Sequence, residues 1–516
     1  MLIHKPTQRL VLKLSDPGRV TTVIPTAKAF QFRGDTFVAV PHRPDEVRVL
    51  CNLGFNAPAP IETYYDWPGL FPPLKAQVAT ASFMTQNFRG FVLNDMGTGK
   101  TLSTLWAFDY LRSIGAAHKL LVVSPLSTLE PTWADEIFKH MPHLTAAVLH
   151  GTKDRRLKLL AADVDVYLIN HDGVTTIARE LAERKDIDAV VVDEVATFRN
   201  HTTTSWKVLN RVCAGRKYLW GLTGTPTPKL PTDAWAQCRL ISPERVPPYF
   251  TKFREMVLKQ AGPFRWVPRD NATEIVADAM QPAIRFRRDE CVDLPPCVYQ
   301  DRFVPMTPEQ DKAYKTMLAK LSMEFSGQQV VAINDAVKVQ KLVQIACGVV
   351  YDNNGNAVAL PNDPRLTLVT DIIDESSTKV ILFVPFKGVL RHIANQLRGA
   401  MGEDRVAELS GDTPVSARND IFFRFQKGSE LKVLVAQPAA MSHGLNLTAA
   451  STVIWYAPIT SNEVYMQANG RITRPGQKHN QLIVNIEGSH VERQMYKRLR
   501  SQQNMQGLLL DAIAGA

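Results

Sequence analysis

Cysteine is scarce: six residues in 516, at positions 51, 213, 238, 291, 297 and 347. They form no Cys-x-x-Cys pair and no His/Cys cluster. Cys291 and Cys297 face each other across Asp-Leu-Pro-Pro without partners, which argues against a zinc module and fits a reducing cytosol. No apolar run reaches the roughly 18 residues of a membrane-spanning helix. No N-terminal basic–apolar–small pattern marks a secretory signal. No membrane association and a cytoplasmic location are therefore expected. Repeats of short fixed period are also missing. The composition, 45% hydrophobic and 21% charged, is that of an ordinary soluble globular protein. Acid is in deficit: 50 acidic against 60 basic residues leave a net charge of +10. A polyanionic partner is favoured, nucleic acid first, although many basic proteins bind none. Proline is plentiful at 33 residues and punctuates loops and segment ends.

A chain of this length exceeds one hydrophobic core, and about 150 residues per domain suggests three or so. Residues 1–70 alternate polar and apolar in Arg9-Leu-Val-Leu-Lys13 and Phe37-Val-Ala-Val40, broken by Gly and Pro. They read as a small β-rich domain. Its Lys and Arg residues stand among Phe30, Phe32 and Phe37, either as a DNA-contacting surface or as a solvated sheet face over a small aromatic core. From 71 to 226, short continuous apolar runs (91–93, 120–123, 146–149, 166–169, 189–192, 218–222) end in polar loops and alternate with helical patterns. Runs apolar on both faces and separated by helices indicate a parallel α/β layer. The rhythm restarts over 330–500, at 380–384, 406–409, 433–436, 452–456 and 482–486. Between the layers, 227–329 is rich in Pro, aromatic and basic residues and reads as a helical insertion, with a tail helix at 501–516. The fold class is α/β, with two parallel-sheet lobes.

Ligands of such sheets sit at the carboxyl ends of the strands, where the chemically suggestive loops fall. Asn94-Asp95-Met96-Gly97-Thr98-Gly99-Lys100-Thr101 follows one apolar run and precedes a helix-favouring segment. In a strand–loop–helix context, Gly97, Thr98 and Gly99 let backbone N–H groups surround phosphate oxygens. Lys100 reaches the β/γ-phosphates and Thr101 holds Mg²⁺. The full pattern asks for glycine where Asn94 stands. The plainer alternative is a glycine turn with a solvated lysine. Asp193-Glu194 ends another apolar run, in the arrangement where the aspartate holds Mg²⁺ and the glutamate activates water; its alternative is a helix-capping acidic pair. Leu222-Thr-Gly-Thr-Pro226 either couples the phosphate site to its neighbours or is a tight turn. Arg471 and Arg474, placed on a helix, would share one face and reach one cleft. Otherwise they are a solvated basic helix.

In order and spacing these motifs resemble superfamily-two helicase-type ATPases of the SWI/SNF branch, over about residues 71–500. The first motif is Asp95 to Thr101. Val123-Ser-Pro125-Leu with Trp133 and Glu136 resembles motif Ia, Asp193-Glu194 with Asn200 motif two, and Leu222 to Pro226 motif three. Arg287-Arg288, Leu294-Pro-Pro296, Gln310 and Tyr314 resemble the family's bridge between lobes. Leu409-Ser-Gly411, Arg418 and Phe425 resemble motif four, and Gly444-Leu-Asn446-Leu447 motif five. Gln467, Arg471, Arg474, Gly476 and Gln477 are similar to motif six, and Gly488 to Glu492 also has a counterpart.

The resemblance implies two RecA-like lobes, ATP with Mg²⁺, and DNA as the partner, duplex or branched DNA first and single-stranded DNA also. Gln77 would read adenine, Arg474 would act as the arginine finger with Arg471 beside it, and Lys100 and Glu194 would complete catalysis. Ser124, Pro125, Asn170, Gly411, Gly444 and Asn446 would lie along the nucleic-acid track. A monomer in a bacterial cytosol or phage-infected cell is expected, since the short lobe insertions resemble bacterial and phage members and annealing helicases. Three departures stand out: Val195-Ala196 replaces Ala-His, Ala76 replaces an aromatic before Gln77, and Gln437-Pro438 replaces hydroxyl residues. Phe71 or Phe88 would then stack on adenine. A strand-separating or RNA-acting helicase is the alternative among enzymes. A non-catalytic scaffold is disfavoured, because lysine, acidic pair and finger are all present.

Overall fold

The computed structural model describes residues 1–516 apart from 263–264, 292–293, 326–331, 352–356, 442–445 and 516. It divides into two units, one of residues 1–291 with 507–516 and one of residues 292–506.

The first unit begins with four antiparallel strands, β1 (Leu2–His4), β2 (Arg9–Lys13), β3 (Lys28–Phe32) and β4 (Asp35–Pro41), in the order β1-β2-β4-β3. Strand side chains alternate between faces. Leu10, Leu12, Val38 and Val40 point one way and pack on Val47 and Leu50 of α1 (Pro44–Asn52). Of the two readings of this domain, the small aromatic core is not what the sheet buries, although Phe55 packs against the core's edge. Phe30 and Phe32 lie exposed on the opposite face, and the core beneath is aliphatic.

The rest of this unit is built on a parallel sheet. Its strands are β5 (Arg89–Val92), β6 (Lys119–Ser124), β7 (Ala146–Val148), β8 (Val166–Asn170), β9 (Ile187–Asp193) and β10 (Tyr218–Leu222). A hairpin of β11 (Leu258–Gly262) and β12 (Arg265–Pro268) follows, and then β13 (Ala283–Ile284) joins the sheet edge. The order is β13-β5-β10-β9-β6-β8-β7. Both faces are covered, as the unbroken apolar runs demand: Val190 and Val192 enter one core, Ala189 and Val191 the other. Two helices position the candidate site, α2 (Lys75–Gln86) and α3 (Lys100–Ser113). The α3 helix is buried on nearly every side, from Leu102 to Leu111. Residues 507–516, at the end of the long C-terminal helix, place Leu509, Leu510 and Ile513 in this unit's core.

The second unit has β14 (Cys297–Phe303), the hairpin β15 (Val349–Tyr351) and β16 (Ala357–Ala359), then β17 (Lys379–Phe383), β18 (Val406–Leu409), β19 (Val433–Ala436), β20 (Ala450–Trp455) and β21 (Gln481–Glu487). Its parallel sheet runs β14-β21-β20-β17-β19-β18. The stretch 227–329 therefore contributes β13 to one sheet and β14 to the other, besides its helices. Two helices close the unit, α4 (Asn462–Asn469) and α5 (His490–Gly515). At the start of α5, buried Glu492 receives Arg365 at 2.9 and 3.1 Å, and also the Gly488 N–H at 2.8 Å and the Ser489 hydroxyl at 3.0 Å. Arg365 further donates to the Tyr456 carbonyl at 2.7 Å. Among the described residues no helix is long and apolar enough to cross a membrane.

Candidate nucleotide-binding site

Register brings the site together. Val92, Leu222 and Asp193 are cross-strand partners on adjacent strands, Val123 pairs with Val192, and Ser124 pairs with Asn170. The loops that follow these residues thus emerge side by side at the carboxyl edge of the first sheet.

After β5 the chain turns through Gly97 and Gly99 at φ 85° and 79°, the left-handed region that suits glycine, and Lys100 opens α3. Among the described residues no side chain caps that helix start, which suits its first N–H groups to an anion. Thr101 is half-buried in the first turn. Thr98 is buried, its hydroxyl donating to the Asp95 carbonyl at 2.9 Å. The Lys100 ammonium donates to the carbonyls of Asn94 at 2.8 Å and Asp95 at 3.1 Å. Desolvation holds its pKa below the usual lysine value, against the opposing pull of Glu194, Asp193 and Asp95. Gln77 packs against the loop: its Oε1 accepts the Leu74 N–H at 2.8 Å. A Cβ at Gly99 would lie 2.1 Å from its Nε2, so a larger residue there would displace the Gln77 amide, besides being strained at φ 79°. Glycine loop, open helix start and half-buried lysine are a set that suits the phosphates of a nucleotide.

Asn94 is no defect in this loop. It is buried, its amide donating to Thr80 Oγ1 at 2.8 Å while its Oδ1 accepts the Phe286 N–H at 2.9 Å. Asp95 continues the joint: its N–H donates to Phe286 O at 3.0 Å, and its carboxylate accepts the Arg288 N–H at 3.0 Å and pairs with Arg285 at 2.8 Å. Phe88, one of the two residues expected to stack on adenine, is instead a packing residue. The Arg48 guanidinium lies 3.7 Å from its ring centroid, and Tyr218 is beside it at 5.4 Å. Phe71 is exposed.

The acidic pair stands at the end of β9. The Asp193 carboxylate accepts the Trp133 indole N–H at 3.1 Å and the Glu194 N–H at 3.1 Å, and its backbone carbonyl accepts His171 Nε2 at 2.9 Å. Burial pushes the Asp193 pKa up, opposed by the Trp133 bond and by Lys100. Glu194 is a non-glycine residue at φ 51°, a strained conformation of the kind that gathers at functional sites. Its Oε2 faces Thr223 Oγ1 at 3.4 Å. The Thr223 N–H donates to Val92 O at 3.1 Å, and a Cβ on Gly224 would meet Asn94 O at 3.4 Å. The loop after β10 therefore touches both the acidic pair and the phosphate loop. Val195 and Ala196 are fully buried, Val195 packing beneath Gly221. Sequence reasoning missed the role of His171 altogether. It named Trp133 only by resemblance, although that residue, in the π-helical turn Leu129–Ala134, bonds to Asp193 sixty residues away.

The other expected residues scatter more. Ser124 and Pro125 are buried, the Ser124 hydroxyl sharing a bond with Thr128 at 2.8 Å. Asn170 is buried, its Oδ1 accepting Arg156 at 3.2 Å. In the second unit Gly411 and Asn446 are exposed, and Gly444 lies outside the described residues. The Gly411 N–H donates to Gln437 Oε1 at 3.0 Å, so the glutamine that replaces a hydroxyl residue ties two loops together.

Arg471 and Arg474 do not share a helix face. The α4 helix ends at Asn469, and both arginines lie in the turn beyond it. Pro475 explains the difference, because it disfavours the helical conformation in the residue before it. The Gln477 side chain pins the turn by donating to Ala450 O at 2.8 Å and Ile472 O at 3.1 Å. Arg471 is 1% exposed and Arg474 is half-exposed.

The SNF2-related domain family matches residues 74–348, and the helicase conserved C-terminal domain matches residues 364–476. The p41 protein of Acyrthosiphon pisum secondary endosymbiont phage 1 is 24% identical over 86% of this chain and 99% of its own length. An uncharacterized ATP-dependent helicase of Mycoplasma genitalium is 26% identical over 76% of this chain and 37% of its own. An ISWI chromatin-remodeling complex ATPase of Saccharomyces cerevisiae is 22% identical over 82% of this chain and 38% of its own. This chain thus spans the phage protein almost end to end but well under half of the other two. Among solved structures, the Sulfolobus solfataricus SWI2/SNF2 ATPase core in complex with dsDNA is 22% identical, with 87% of this chain and 95% of that chain covered and a TM-score of 0.42. The first domain match alone takes in more than half of the chain, and the chain belongs to the SNF2-related family of nucleic-acid-dependent ATPases.

Proposed function

We propose that this chain is an ATP-driven translocase acting on duplex or branched DNA. The observation that carries the reading is the convergence of Lys100, Asp193 and Glu194 at one sheet edge, with Thr223 on Glu194 and the phosphate loop alongside. The glycine loop and the start of α3 hold the phosphates, and Lys100 neutralises the β/γ oxygens. Thr101 and Asp193 are the residues that would hold Mg²⁺, which when bound supplies charge to the triphosphate. Glu194 orients the attacking water and accepts its proton. Arg474, with Arg471, meets the γ-phosphate when the second unit closes on the nucleotide, and cycles of closure move the protein along the DNA backbone. The net charge of +10 suits a phosphate track held without regard to sequence. On this reading it works as a monomer in a bacterial cytosol or a phage-infected cell.

ATP hydrolysis measured with duplex, forked and single-stranded DNA and with RNA tests the substrate. Duplex or forked DNA should stimulate most. Stimulation by single strands or RNA alone would replace this reading with a conventional helicase. The metal assignment has its own check. Trp133 orients Asp193 from behind, and loss of such a partner costs about 10–100-fold in metal affinity or activity. Trp133→Phe should therefore raise the Mg²⁺ concentration for half-maximal hydrolysis by about tenfold or more, with rate recovered at high Mg²⁺. An unchanged Mg²⁺ requirement would remove Trp133 from that role.

A further inference from the structure

The outer face of the N-terminal sheet presents an arrangement that the nucleotide site does not use. Lys28, Phe30 and Phe32 alternate along β3, and Phe30 pairs across to Phe37 on β4, which pairs across to Lys13 on β2. Phe30 and Phe37 stack with centroids 5.7 Å apart, and Phe32 meets Phe37 edge-on at 6.4 Å. Leu2, Val11 and Lys13 complete a shallow groove with the three rings. An aromatic cross-strand pair steadies a sheet, but that does not require Phe30 to be 43% and Phe32 55% exposed. The core is already filled from the other side by aliphatic residues. Charge on this face is lopsided. Arg9, Lys13 and Lys28 lie on it, and Arg33 follows β3 with its guanidinium 5.2 Å from the Phe32 centroid. Asp35, paired with Lys13 at 2.6 Å, is the single acid that the four strands place there.

We propose that this face binds an unpaired DNA strand, its bases stacked on Phe30 and Phe32 and its phosphates drawn by Lys28 and Arg33. Rings set among cations match the two components of a single strand, since every base has a stacking face and every phosphate a charge. A duplex hides its base faces, so this site takes strands that are already open, as at a fork or bubble. A protein partner would suit the rings but leaves the excess of cations unexplained.

The test uses the full chain carrying Phe30→Ser with Phe32→Ser, and separately Lys28→Gln with Arg33→Gln. All four residues are exposed and remote from the core. The phenylalanine pair should weaken binding of a short fluorescent oligo(dT) by about tenfold or more, with duplex-stimulated ATP hydrolysis unchanged. The cation pair should flatten the salt dependence of that binding by about 0.7 per residue in log–log slope. With the unaltered protein, a photoreactive oligo(dT) should cross-link within residues 28–37. Oligo(dT) affinity that survives the phenylalanine changes overturns the proposal, as do cross-links found only elsewhere. Survival of binding together with a lost self-association would assign the face to a second copy of the chain. Loss of duplex-stimulated hydrolysis in the unaltered protein would count against the translocase reading and leave this one standing.

Discussion

Replacing Glu194 with Gln should leave ATP binding intact and cut nucleic-acid-stimulated turnover by about 10²–10⁴-fold, the range for loss of a positioned general base. The change is nearly isosteric. It keeps a side-chain oxygen for Thr223, which now faces Glu194 at 3.4 Å. It leaves untouched the bonds of Asp193 to Trp133 and to the backbone N–H of residue 194. What disappears is the carboxylate proposed to accept the proton of the attacking water. Nucleotide binding by fluorescence and phosphate release at saturating DNA separate the two effects. Full turnover in the purified variant would sink the assigned role, and a collapse of binding would mean that Glu194 holds the loop rather than the water.

The second large effect is on stability. Glu492→Ala should destabilise the second unit by about 3–5 kcal/mol, because it strands a buried guanidinium. Arg365 is 3% exposed and, among the described residues, has Glu492 as its charge partner, while the N–H of Gly488 and the hydroxyl of Ser489 lose the same acceptor. Hydrogen exchange over β20 and β21 reads this unit directly, which a single melting curve of a two-unit chain does not. Protection there should fall by about two to four orders of magnitude, as about 1.4 kcal/mol per tenfold implies. Arg365→Met combined with Glu492→Leu removes both charges, and should recover much of the loss. Equal protection in Glu492→Ala and the unaltered chain would show that the ion pair contributes no stability.

Much of this was legible in the sequence, for a physical reason. Strands such as β9 carry apolar residues on both faces because both are covered, and that signal survives without any knowledge of neighbours. The polar residue that ends each one, Asp193 or Thr223, then marks the carboxyl edge. Two-residue β13 left no such trace, since its place depends on backbone pairing with β5 and not on its own side chains. The N-terminal alternation was visible, but the face it buries was not: 28–40 offers aromatic residues on one side and aliphatic ones on the other. Helix periodicity misled at Arg471 and Arg474, where Pro475 was the better guide. The bond from Trp133 to Asp193 joins residues that are close only because β6 lies beside β9.

Asn94 has a mechanical consequence. Its side chain fastens the nucleotide loop to α2 through Thr80 and to the 285–288 segment through Phe286, where Asp95 adds Arg285 and the Arg288 backbone. A glycine there would remove the ties to Thr80 and to the Phe286 N–H and leave only those of Asp95. With asparagine, any shift of residues 285–288 must drag the loop along or break these bonds at once, so the loop works as a latch. Tension reaching that segment from elsewhere in the chain would be felt at the loop proposed to hold the phosphates.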